Sequence, residues 1–279
     1  IPLNTASTRA ETLVKLPENV SGFDTNGGEG AYRYQWYPAK GETATLMMED
    51  NWPEMGDYDF NDFVIWYHAQ AIFFDGGNGS KDSYDADGVE FEITFRAMGG
   101  YLPYRLGLQL DQTSAKYIDE VIEINGNDLV KMELQNPGED APAIFIFTGT
   151  DQLRKQNNGG TFYNTEADHQ IAANDLVTIK YRLKMNCFRS LEKTKALWAA
   201  ATSENQNFFL QKEKNGGREI HLRGYEPTAY YSDSYAGEAG NNMRSDIKYC
   251  STDNFVWGIK VPVKLAHPRE KTVFRFHAS

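Results

Sequence analysis

The chain has 279 residues, 41% of them hydrophobic and 24% charged, enough to bury a large core and too apolar for intrinsic disorder. Thirty-nine acids against 28 bases leave a net charge of -11, which argues against a nucleic-acid or anionic-membrane partner and favours cations. No apolar run approaches the roughly 20 residues that cross a bilayer, and two cysteines, Cys187 and Cys250, are too few for a disulfide framework. They are expected as two isolated, inert thiols rather than a long-range disulfide.

Residues 1–30 are rich in Thr, Ser, Asn and Gly and read as an N-terminal arm ahead of one β-rich domain over 31–279. The numbering starts at Ile1 rather than Met, which suggests a targeting segment removed upstream. In Ala31–Tyr37 the rings of Tyr32, Tyr34 and Trp36 share one face at the two-residue period, so a first strand is expected there, with Ala44–Met48 as its partner. A long strand follows over Phe63–Phe74, then turn chemistry from Asp75 to Gly88. Val89, Phe91, Ile93 and Phe95 alternate with Glu90, Glu92, Thr94 and Arg96, predicting one buried and one wet face.

Gly99-Gly100 ends that strand, and Leu106, Leu108 and Leu110 repeat the alternation. Asn125-Gly126 between apolar runs predicts a hairpin over Ile122–Val130. Ala143–Phe147 and Val177–Leu183 are further strands, and Leu191–Ala201 is the one stretch with helix-favouring composition. Many short strands between Gly, Asn and Asp turns, without strand-helix alternation, predict an all-β antiparallel sandwich, jelly-roll-like, with long loops and few short helices.

The chemistry concentrates in Glu49–Tyr67, EDNWPEMGDYDFNDFVIWY. Calcium takes six to eight oxygen ligands, and carboxylates at alternate positions of a tight loop supply several together. Asp57, Asp59 and Asn61 have that spacing. A helix-loop-helix calcium loop is excluded, because Asp62 stands where its glycine is required and His68 where its bidentate Glu is required. A loop at a strand edge remains, with Glu49, Asp50, Asp57, Asp59, Asn61 and Asp62 as the metal ligands. The same residues could instead make side-chain to backbone turns, but so many acids at close quarters repel unless a bound ion or basic neighbours offset them.

Asp82, Asp85 and Asp87 form a second acidic cluster, read as a solvated loop ahead of another ion site. His68, His169, His221, His267 and His277 show no spacing that marks zinc. Paired carboxylates keep a carbohydrate-active hydrolase open, and Tyr225, Tyr230, Tyr231 and Tyr235 are candidates either for a sugar-stacking platform or for packing over a sandwich edge. A structural subunit of a surface fibre, using the 1–30 arm as a donor strand, is a further alternative.

Glu49-Asp50-x-Trp52-Pro53 followed by Gly56-Asp57-Tyr58-Asp59-Phe60-Asn61-Asp62 resembles the signature of the LruC-type C-terminal domain. Phe95-Arg96-Ala97-x-Gly99 with Leu106–Leu110, Glu219–Thr228 and Trp257–Pro262 resemble its later landmarks, so the likeness runs from about residue 35 to 270. Met47-Met48 replaces a more usual Phe, and the chain lacks the family's aromatic-Pro-aromatic finish at 274–277. The resemblance implies an extracytoplasmic, calcium-containing β-sandwich of bacterial surface and secreted proteins, notably of Bacteroidetes. The resulting expectation is a non-catalytic calcium-binding module acting in adhesion or in binding a surface glycan or protein.

Overall fold

The computed structural model describes residues 31–75, 84–135, 138–212, 217–231 and 243–271. The 1–30 arm, Asp82, Tyr235 and His277 therefore lie outside the described residues. Within them are twelve strands: β1 Ala31–Tyr37, β2 Ala44–Met48, β3 Phe63–Asp75, β4 Gly88–Ala97, β5 Arg105–Ser114, β6 Glu120–Asn125, β7 Lys131–Gln135, β8 Pro142–Thr148, β9 Thr178–Lys184, β10 Gln206–Gln211, β11 Glu219–His221 and β12 Gly258–Val261. One α-helix, α1, spans Leu191–Ala200. The strands form two antiparallel sheets. The first runs β12-β2-β3-β4-β9-β6 with β1 also on β3, and the second runs β11-β10-β5-β8-β7.

The expected alternation builds the core between the sheets. Phe63, Ile65, Tyr67, Val89, Phe91, Ile93 and Phe95 of the first sheet join Leu106, Leu108, Leu110, Phe145, Phe147, Phe208 and Leu210 of the second in one buried cluster. Tyr67 and Phe208 meet edge-on at 4.8 Å between centroids, and each fully buried side chain of this size contributes roughly 1.5–3 kcal/mol. Helix α1 starts at Ser190, whose side chain accepts the Lys193 amide hydrogen bond, and buries Ala196, Leu197 and Ala200.

Three expectations are corrected. First, β1 and β2 do not pair. Both lie along one edge of β3, β1 opposite Ala69–Asp75 and β2 opposite Phe63–Tyr67, because β4 already occupies the other edge. Second, Asn125-Gly126 is not a hairpin turn, since β6 pairs with β9 in the first sheet and β7 with β8 in the second. Asn127 Oδ1 accepts from the Leu129 and Val130 amides at 2.9 and 3.3 Å, an Asx turn that redirects the chain and sends Val130 into the core. Third, Glu90 is not on a wet face. It is buried, with Lys180 Nζ at 2.8 Å and Arg182 Nε at 2.9 Å, both on the neighbouring β9.

Candidate metal centre

The acidic loop joins β2 to β3 and folds back over the outer face of the first sheet. Its geometry follows from the alternation of acids with aromatics. Tyr58 and Phe60 both take left-handed backbone conformations, each with φ 57°, which non-glycine residues adopt only when their surroundings hold them there. Here the hold is packing: Tyr58 and Phe60 are buried against Met47, Val64 and Ala97, with Phe255 against them, in a small cluster separate from the main core. The rings of Tyr58 and Phe60 lie 4.8 Å apart, and the Tyr58 hydroxyl accepts the Val256 amide at 3.2 Å. The loop's entry is fixed by the Glu49 amide donating to Trp257 O at 2.9 Å.

With the aromatics pinned, the intervening acids converge. One ligand oxygen from each of Glu49, Asp57 and Asp59 lies within 4.8 Å of the others. Glu49 and Asp59 are fully buried, whereas Asp57 is exposed and opens the group to solvent. Glu49 Oε1 accepts the Phe60 amide. Its other oxygen, Oε2, is buried without a hydrogen-bond partner, beside Gly56. Asp59 accepts the Asn61 amide at 3.1 Å, the Asn61 side-chain amide at 2.7 Å and the Lys271 amide at 2.9 Å.

These carboxyls are uncomfortable as anions. Burial, partly offset by the Phe60 amide, and the nearby charges of Asp59, Asp57 and Asp50 push Glu49 up to about 8. Burial and the charge of Asp57 push Asp59 up to about 6. A divalent cation among the three would supply the missing positive charge. A carboxylate-only donor set suits a hard cation such as calcium or magnesium.

The other expected ligands are placed differently. Asp50 and Asp62 form a pair of their own: Asp62 Oδ2 accepts the Asp50 amide at 2.8 Å, and Asp50 Oδ2 accepts the Leu102 amide at 3.1 Å. Burial and the neighbouring charges of Asp50 and Glu49 raise the Asp62 carboxyl. Asn61 turns its amide nitrogen toward Asp59 and so acts as a donor to a carboxylate. Of the six expected ligands, the structure gathers three.

Residues that the loop sequence does not reveal complete the surroundings. Gly99 and Gly100 give Asn61 and Asp50 room, since a Cβ on either would overlap the Asn61 and Asp50 side-chain oxygens; their amides donate to Asn61 O and Asp62 O at 2.9 and 3.3 Å. The Gly-Gly pair after a strand was the available signal of close backbone approach. Glu270 and Lys271 reach the loop from the far end of the chain, which no local pattern announces.

Among the second cluster, Asp85 pairs with Lys184 at 2.6 Å, while buried Asp87 accepts the Phe74 and Cys187 amides at 2.6 and 3.1 Å. Asp85 and Asp87 thus serve separate structural partners. Cys187 and Cys250 are both free and buried, as expected. Tyr225 is buried in the core cluster, the packing alternative for that residue. Among the described residues no helix is long and apolar enough to cross a membrane.

Among curated proteins nothing matches the chain. A solved structure does: a Bacteroides ovatus protein described as a candidate lipoprotein aligns with a TM-score of 0.64 at 22% identity, covering 86% of this chain and 68% of that one. At that identity the likeness establishes the fold. The profile of the family described as "Domain of unknown function (DUF4842)" matches residues 86–275, a span that begins after the acidic loop. The chain is a member of the DUF4842 family.

Proposed function

We propose that this chain is a non-catalytic β-sandwich module in which Glu49, Asp57 and Asp59 hold a structural calcium ion at the junction of the acidic loop and β3. The observation that carries the reading is Glu49: its Oε2 is buried and without a hydrogen-bond partner, and one of its carboxylate oxygens lies within 4.8 Å of oxygens of Asp57 and Asp59. A buried carboxylate oxygen without a partner is costly, and a cation is the partner its neighbours suit. Asp50, Asn61 and Asp62 stand behind the site and fix the loop's shape.

The finer family reading, the LruC-type C-terminal domain, rests on the acidic loop and the later landmarks quoted above. Together with the lipoprotein description of the structural neighbour, it supports an extracytoplasmic location and a role in adhesion or in binding a surface glycan or protein. The hydrolase alternative needs two carboxyls facing across a cleft that admits a sugar; the Asp50–Asp62 pair is in direct contact and its Asp50 member is buried. Metal-stripped protein should gain thermal stability when calcium is restored, and no gain would refute the structural-ion reading. A glycan array run with and without calcium then asks whether the module binds sugars.

A further inference from the structure

The outer face of the second sheet carries a second polar cluster with no part in the acidic loop. Asn207 on β10 and Glu219 and His221 on β11 are all fully buried. His221 Nδ1 lies 2.7 Å from Asn207 Oδ1, and Nε2 lies 2.9 Å from Glu219 Oε2. Asn207 cannot turn its amide round, because its nitrogen donates to Glu226 O at 3.0 Å; a flipped amide would set two acceptor oxygens against each other. Glu219 in turn accepts the Thr228 amide at 2.8 Å and the Thr228 hydroxyl at 2.6 Å, and that hydroxyl is itself the acceptor of the Tyr230 amide at 3.1 Å.

Both ring nitrogens of His221 therefore face acceptors, and an imidazole satisfies two acceptors only when both nitrogens carry hydrogen. We infer that both ring nitrogens of His221 carry hydrogen and that His221 forms, with Glu219 and Asn207, a doubly hydrogen-bonded clasp fastening the Glu226–Tyr230 segment onto the outer face of the second sheet. The ring environment suits a cation. Phe209 stacks on His221 at 4.8 Å with planes 17° apart, and Tyr249 lies against it at 5.1 Å. Gly107 leaves room for the Phe209 ring, where a Cβ would collide with it.

Among the described residues, few ionisable groups face the ring. β10 contributes Asn207 and Phe209, which do not ionise. β11 contributes Glu219; burial alone would raise its carboxyl, but the hydrogen bond and charge of His221 and the Thr228 donors hold it below the ordinary value. Tyr249 is raised by burial first, then by Tyr231, Glu219 and Glu226, and stays a neutral phenol. Arg218, the chain neighbour of Glu219, directs Nη1 to Trp52 O at 3.3 Å. A ring nitrogen without hydrogen would set a lone pair against Asn207 Oδ1 or Glu219 Oε2.

The test is 15N NMR of the full chain, with hydrogen exchange followed at the Thr228 and Tyr230 amides. At neutral pH both His221 ring nitrogens should show the shifts of a protonated imidazolium. Exchange at the two amides should quicken on the order of tenfold in the His221→Gln variant. A neutral His221 tautomer at neutral pH in the folded protein overturns the inference without need of any variant, and so does unchanged exchange at the two amides in His221→Gln.

Discussion

Removing calcium from the proposed site should weaken the fold by an amount that can be bounded. Glu49 and Asp59 are both buried, with ligand oxygens no more than 4.8 Å apart; at an effective dielectric of 20, two full charges at that distance repel by about 3.5 kcal/mol. The stripped protein avoids this by keeping a proton, consistent with Glu49 near 8 and Asp59 near 6. Both values lie above the ordinary carboxyl range, so the metal-free fold is favoured below that range and loses stability as pH rises through about 6 and then 8. Calcium binds the ionised form, so its benefit should grow in the same direction. At a free concentration about 100 times Kd the gain is about 2.7 kcal/mol, or on the order of 5–10 °C in melting temperature for a domain of this size. The assay is thermal unfolding of chelator-treated protein with calcium added back at pH 5 and pH 8, beside Asp59→Asn. Equal shifts at the two pH values, or an undiminished shift in Asp59→Asn, would refute the reasoning.

Three further outcomes are expected. Gly100→Ala places a methyl against Asp50 Oδ2 and the Asp62 side chain, and urea unfolding should show a loss of about 1–3 kcal/mol. In Glu90→Gln the acid limb of the stability curve should flatten: burial would raise Glu90, yet Lys180 and Arg182 hold it below its ordinary value, so its contribution is present above the unfolded carboxyl range and is lost as pH falls. Both thiols should resist labelling by a thiol reagent until the chain unfolds, Cys187 most of all, because burial pushes it up to about 12.

How much of this was legible depends on what kind of constraint shaped each residue. Strands β4 and β5 announce themselves through the period-two alternation of their large apolar residues, and their main-core residues follow directly, although Glu90 on β4 and Gly107 and Gln109 on β5 are buried on the opposite face. Strand β10 does not: all six residues of Gln206–Gln211 are buried, so polar and apolar positions both face packed surroundings and no alternation survives. Glu90 misled for the opposite reason, since a charged residue reads as exposed unless its partners, here two residues on β9, are known. In the acidic loop the sequence showed the density of charge but could not divide it. The separation into a Glu49–Asp57–Asp59 group and an Asp50–Asp62 pair depends on Gly99 and Gly100 and on the left-handed turns at Tyr58 and Phe60, which are tertiary facts.

Those two left-handed aromatic residues make the loop a two-sided object. Every second side chain is an anchor in an apolar cluster, and each one between is a charge. Neither side can be varied alone, because a smaller ring at Phe60 would relax the backbone that aims Asp57 and Asp59. Substitutions that never touch a carboxylate should therefore alter ion affinity, and loss of the ion should register as looser aromatic packing on the far side of the same few residues.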